Sequence, residues 1–170
     1  MSLHSDLLKQ ALALALLEPG KPKQASLRRA VSCAYYALFH LLVSEGSALI
    51  GSKLGKDARI KLRRAFSHGD MKVVCGSYAG LHGRLHAQIA PLLILPIEKE
   101  LQALADLFVE LQEARHSADY DVASVFSRTE VLALISDLNI IVAGWAKVRT
   151  KQNAKIFLAD LLLRKSWSRP

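Results

Sequence analysis

The sequence predicts an all-α protein: an antiparallel helical bundle of three or four long helices with short helices between them. Apolar residues recur at three- and four-residue spacing through nearly every long segment, the period of one helix face. No stretch of useful length alternates apolar and polar residues as a half-buried strand does. Breakers fall between the periodic segments, as at Pro19-Gly20-Lys21-Pro22 and between Pro91 and Pro96. The 170 residues suit one domain over 1–170, with 152–170 as a C-terminal helical extension.

The first helix runs from Ser2 or Ser5 to Glu18 and ends at the breaker run. The second starts near Ser26 and continues to about Glu45, where Gly46, Gly51 and Gly55 mark a loosened end and a turn. A short basic helix over Lys56 to Phe66 leads to Ser67-His68-Gly69-Asp70, where Asp70 is expected to cap a further short helix through Tyr78. Residues 83–96 read as a connector. A long helix then begins at Pro96, a favoured first-turn residue, and runs to about Asp121. Ser127-Arg128-Thr129-Glu130 is a capping box that opens another long helix to about Lys151. The last helix carries Ile156, Phe157, Leu158, Leu161, Leu162 and Trp167.

A composition of 51% hydrophobic and 22% charged residues is that of a folded chain. Cys33 and Cys75 stand singly, without CxxC spacing, and read as reduced core residues of a cytoplasmic protein. The apolar stretch Val131 to Ala146 contains Asp137 and Asn139 and is too short and polar to span a bilayer, so no membrane partner is expected. Net charge is +8, and the whole excess lies in residues 1–90, with 13 Lys or Arg against 5 Asp or Glu. Seven of these cations fall between Lys53 and Lys72. Such a face suits RNA, or docking against an acidic surface such as the run Glu98 to Asp121.

One position breaks the apolar pattern. Ile97, Leu101, Leu104, Phe108 and Leu111 form a helical seam that Arg115 continues. A guanidinium on that seam needs anionic or hydrogen-bonding partners. Asp119 is one turn on, near a helix C-terminus where negative charge is disfavoured, and Arg29 is the expected second cation to relieve it. On the second helix Arg29, Cys33, Tyr36 and His40 share a face. If the two faces meet, Arg29, Tyr36, His40, Arg115, Asp119 and Tyr120 form one cluster. His82 and His86 are a loose metal-like pair without a third ligand, so no metal or other cofactor is expected. No Walker loop, GxGxxG or GxSxG motif is present.

Two stretches together carry a family resemblance. Leu27 to His40 contains Arg29-Ala30 followed by Ala34-Tyr35-Tyr36-Ala37-Leu38-Phe39-His40, and Arg115-His116-Ser117-Ala118-Asp119-Tyr120 reads R-x-x-A-D-Y. Over roughly residues 1–150 the chain resembles the HEPN superfamily of helical bundles. That resemblance implies an antiparallel bundle, a homodimer, and a toxin–antitoxin or defence setting beside a small nucleotidyltransferase. It also implies, for active members, metal-independent RNA cleavage by an arginine followed after four to six residues by histidine. The chemistry needs a cation on the scissile phosphate and an imidazole to move the 2′-OH proton.

Counting from Arg115, the histidine is replaced by Tyr120, Asp121 or Val122, and His116 is adjacent to the arginine. The spacing is met at Arg63 and His68, but about one such match arises by chance in a chain of this composition. Three readings follow: a nucleotide- or RNA-associated binding module without the standard histidine; a ribonuclease using Arg115 with His40, His116 or His68 as substitute base; and a structural interaction bundle. Whether the chain is an enzyme is open at this stage.

Overall fold

The computed structural model describes residues 2–51, 53–80 and 84–167. Among them are the helices α1 (Leu3–Ala15), α2 (Gln24–Gly51), α3 (Lys56–Ala65), α4 (His68–Tyr78), α5 (Lys99–Tyr120), α6 (Arg128–Val148) and α7 (Gln152–Trp167). One turn of 3-10 helix, Ala90–Leu92, precedes α5, and the described residues contain no strand. The chain is all-α, as its periodicity predicts.

The residues gather into two compact units, one of Met1–His40 with Leu107–Val142 and the other of Leu41–Asp106 with Ala143–Pro170. The division falls inside α2, α5 and α6. In the first unit, Leu27, Tyr35 and Leu38 of α2, Phe108 and Leu111 of α5, and Ile135 of α6 are buried. The Tyr35 and Phe108 rings lie 5.6 Å apart. The second unit is centred on an aromatic trio. Phe157 of α7 meets Tyr78 of α4 edge-on at 5.0 Å and Trp145 of α6 at 6.2 Å. Thus α7, read from sequence as an extension, supplies core to this unit through Ala154, Phe157, Leu158 and Leu161. The side chain of Trp167 lies outside the described residues.

Several element boundaries differ from the sequence reading, each for a local reason. Helix α2 passes Glu45 and runs through two glycines to Gly51. A Cβ at Gly46 would stand 2.7 Å from the Phe66 ring, and one at Gly51 would stand 2.9 Å from Arg59 Cγ. These glycines admit close neighbours and do not break the helix. Helix α1 stops at Ala15. Glu18, expected inside it, instead lies in the connection and accepts a 2.7 Å hydrogen bond from Ser26 Oγ in the first turn of α2. Helix α4 is capped by Ser67 and not by Asp70: Ser67 Oγ accepts from the Asp70 amide and donates to Asp70 Oδ2. Helix α5 begins at Lys99, three residues after Pro96. The buried Asn153 grips both backbone groups of Ile94, at 2.8 and 2.7 Å, and donates to Glu98, so the segment before the helix is held by α7.

The capping box at the start of α6 forms as read, with Ser127 N donating to Glu130 at 2.8 Å and Glu130 N to Ser127 Oγ at 3.2 Å. By length and composition alone both α2 and α6 are able to cross a bilayer, so the sequence argument against a span does not extend to the full helices. The α2 window is 56% buried inside the protein, as befits a core helix; that of α6 is 28% buried.

Several connections depend on ionised carboxylates. The Ser26 hydroxyl and then the Lys23 amide hold Glu18 below its usual pKa; Ser67, aided by Lys165, does the same for Asp70. Ser124 and the Ala123 amide lower Asp121, and the Ser127 amide and hydroxyl lower Glu130. A group whose folded pKa is depressed contributes stability above its unfolded value of about 4 and loses it as pH falls through the folded value. Stability is therefore expected to decline on acidification below about pH 4, measured by urea unfolding across a pH series. A flat profile there removes these carboxylates from the stability of the connections.

Candidate functional site

Within the first unit α2 presents two adjacent rows of side chains. Arg28 and Ser32, four residues apart, face the C-terminal end of α5. Ser32 Oγ donates to Asp119 Oδ1 at 2.7 Å. Arg28 donates from Nη1 to the Ala118 carbonyl at 2.8 Å, and from Nη2 to the carbonyls of Asp121, Val122 and Ser124. A cation on these carbonyls satisfies the last turn of α5 and opposes its dipole. The residue that closes α5 is thus Arg28; Arg29, expected from sequence as a second cation beside Asp119, forms no ion pair with it. The two positions differ by about 100° around the helix.

Arg115 lies half-buried on α5 with its partners on three sides. Its Nε is 2.7 Å from Asp119 Oδ2, with the two side chains 24% and 22% exposed. This is an ion pair by distance whose N–H does not point along the contact. Nη2 donates to Tyr36 Oη at 3.2 Å. The guanidinium also lies 5.7 Å from the Tyr36 ring centroid and 5.5 Å from that of Tyr120, within cation–π range. Burial works against the charge, but Tyr36 and Asp119 outweigh it, so Arg115 holds its proton more firmly than usual.

The second row of α2 lines a groove. Arg29, Ser32, Cys33 and Tyr36, with Gln10 and Leu14 of α1, enclose about 260 Å³. Arg29 is exposed and has no acidic partner among the described residues. Cys33 is a free thiol whose pKa is raised by burial, against the opposing pull of Arg29, so the groove wall is neutral apart from one cation. Ser32 and Tyr36 belong to both rows: each lines the groove, while the Ser32 hydroxyl meets Asp119 and the Tyr36 hydroxyl meets Arg115.

The residues selected from sequence therefore divide. Tyr36, Arg115, Asp119 and Tyr120 come together, and Arg29 joins them through the groove wall it shares with Tyr36. His40 stacks on Tyr36 at 6.3 Å between ring centroids. His116 is exposed, with its ring 5.1 Å from Tyr120. His68 belongs to the second unit, as the first residue of α4. Among the described residues no three of His, Cys, Asp and Glu gather as a metal site, and His82 lies outside those residues. Sequence reasoning passed over Ser32, although its four-residue step to Arg28 and Tyr36 placed it on the right helix face. Gln10 and Leu14 carry no local signal, because only packing brings α1 to that face.

No protein-family model, curated protein or solved structure matches the chain.

Proposed function

We propose that this chain is a HEPN-like nucleotide- or RNA-associated binding module without ribonuclease activity at Arg115. One observation supports this most: Arg115 is answered by Asp119 and Tyr36, whereas Arg29, at the groove beside it, is not answered by any acid among the described residues. A cation already paired at 2.7 Å is poorly placed to gain charge stabilisation from a phosphate, since catalysis needs interactions that strengthen in the transition state. An unpaired arginine beside an aromatic ring suits a phosphate and a base held together. Under this proposal the chain works as a homodimer in the cytoplasm, beside a small nucleotidyltransferase in a toxin–antitoxin or defence system, as the HEPN resemblance implies.

The test measures binding of a short RNA and of adenosine nucleotides at low salt, with RNA cleavage followed in EDTA. Binding that weakens about tenfold in Arg29→Ala, without cleavage, is the expected result. Failure to bind either probe overturns the proposal. Cleavage that disappears in Arg115→Ala replaces it with the ribonuclease reading.

A further inference from the structure

The second unit carries a surface that the groove does not involve. Helix α3 and the connection that precedes it hold Lys53, Lys56, Arg59, Lys61, Arg63 and Arg64 against a single acid, Asp57. None of the six cations forms an ion pair with a described residue. Asp70, the next acid along the chain, is 3.2 Å from Lys165 Nζ and so is already answered.

The same segment of chain is apolar as well as basic. Leu49, Ile50, Leu54 and Ile60 are 37%, 39%, 47% and 38% exposed. Lys56, Ile60 and Arg64 follow at four-residue steps and share one face of α3, which puts an isoleucine in the middle of the cations. Helix α3 has ten residues and buries none of them. A helix so short is marginal in water unless one face is packed, and the packing of α3 is slight: Ala58 and Leu62 are half-buried, Leu62 and Arg59 lie beside Gly51 of α2, and the other residues are exposed.

Two kinds of polyanion match the charge. A single-stranded nucleic acid is gripped by aromatic stacking as well as by phosphate contacts, and residues 48–65 contain no Phe, Tyr or Trp. An anionic bilayer presents phosphate and carboxylate headgroups above an acyl boundary, and takes up cations and aliphatic side chains together. We propose that α3 and the connection that precedes it form a peripheral docking surface for an anionic lipid bilayer. Lys53, Lys56, Lys61 and Arg64 contact headgroups, and Leu54 and Ile60 enter the interface; Arg63 instead donates from Nε to Ser47 Oγ of α2 at 3.4 Å. The absence of a membrane partner expected from sequence concerned spanning segments; this mode needs only a basic amphipathic surface.

The experiment uses the full chain in flotation assays with vesicles of phosphatidylcholine, with and without phosphatidylserine, at low salt. Each cation near an anionic surface strengthens binding by about fivefold. Binding is therefore expected on phosphatidylserine vesicles only, and Lys56→Glu with Arg64→Glu should lower it by more than about tenfold. Leu54→Ser with Ile60→Ser should lower it several-fold at unchanged net charge. All four positions are exposed, so circular dichroism and Tm should match the wild type in both variants. Equal binding to both vesicle types, or none, overturns the proposal. So does a serine variant that binds like wild type; if the glutamate variant then also loses binding to a single-stranded RNA, the face belongs to nucleic acid.

Discussion

Phe157→Ala is expected to lower the unfolding free energy by about 4 kcal/mol, measured by urea denaturation. Phe157 is wholly buried, and its ring is the one that both Tyr78 and Trp145 touch. Truncation removes the transfer free energy of the ring and leaves a cavity between α4, α6 and α7 that two large aromatic side chains cannot readily close. The site is also poor in polar compensation. Tyr78 Oη and Trp145 Nε1 are buried without a hydrogen-bond partner among the described residues. Burial, then the nearby Asp160 and Cys75, push the Tyr78 hydroxyl far above its usual pKa, so it stays neutral. The trio is held by packing alone. Phe157→Leu, which refills much of the volume, should cost less than about 1.5 kcal/mol. If Phe157→Ala costs no more than that, α7 is an appendage and not core.

Arg28→Ala is expected to cost about 2–3 kcal/mol and to lower Tm by about 5–10 °C. One guanidinium serves the carbonyls of Ala118, Asp121, Val122 and Ser124, and so both ends α5 and fixes the turn into α6. Part of this surface is open to water, which replaces most of the lost bonds and keeps the figure near that of one or two charged hydrogen bonds. Arg28→Lys should recover less than half, because a single ammonium cannot span carbonyls that a planar fork reaches. A loss below about 0.5 kcal/mol in Arg28→Ala would show that the turn is set without the arginine. Arg128 closes α1 in the same manner, donating to the carbonyls of Ala15, Glu18 and Gly20.

Much of the local structure was legible because its causes lie within a few residues. The Ser127–Glu130 box depends on a three-residue spacing, and its two hydrogen bonds form as that spacing predicts. The Arg115–Asp119 pair follows from the four-residue step on one helix. The glycines were misread for the opposite reason. Gly46 and Gly51 look like breaks in isolation, and only Phe66 and Arg59, 20 and 8 residues further along the chain, show them to be close-contact positions inside α2. The choice between Arg28 and Arg29 was equally undecidable, since periodicity tells which residues share a face but not which neighbour that face meets.

The sequence by itself determined the helices, the capping box of α6 and the anomaly at Arg115, because hydrophobic period and capping chemistry act over one or two turns. Tertiary structure alone decided that Arg28 closes α5, that Tyr36 and Ser32 complete the Arg115–Asp119 cluster, and that α1 joins α2 in walling a groove beside Arg29. It also decided that α7 fills a core and that no residue of α3 is fully buried. Such outcomes depend on which faces are brought within hydrogen-bond or van der Waals distance, and contacts between residues tens of positions apart leave no periodic trace along the chain.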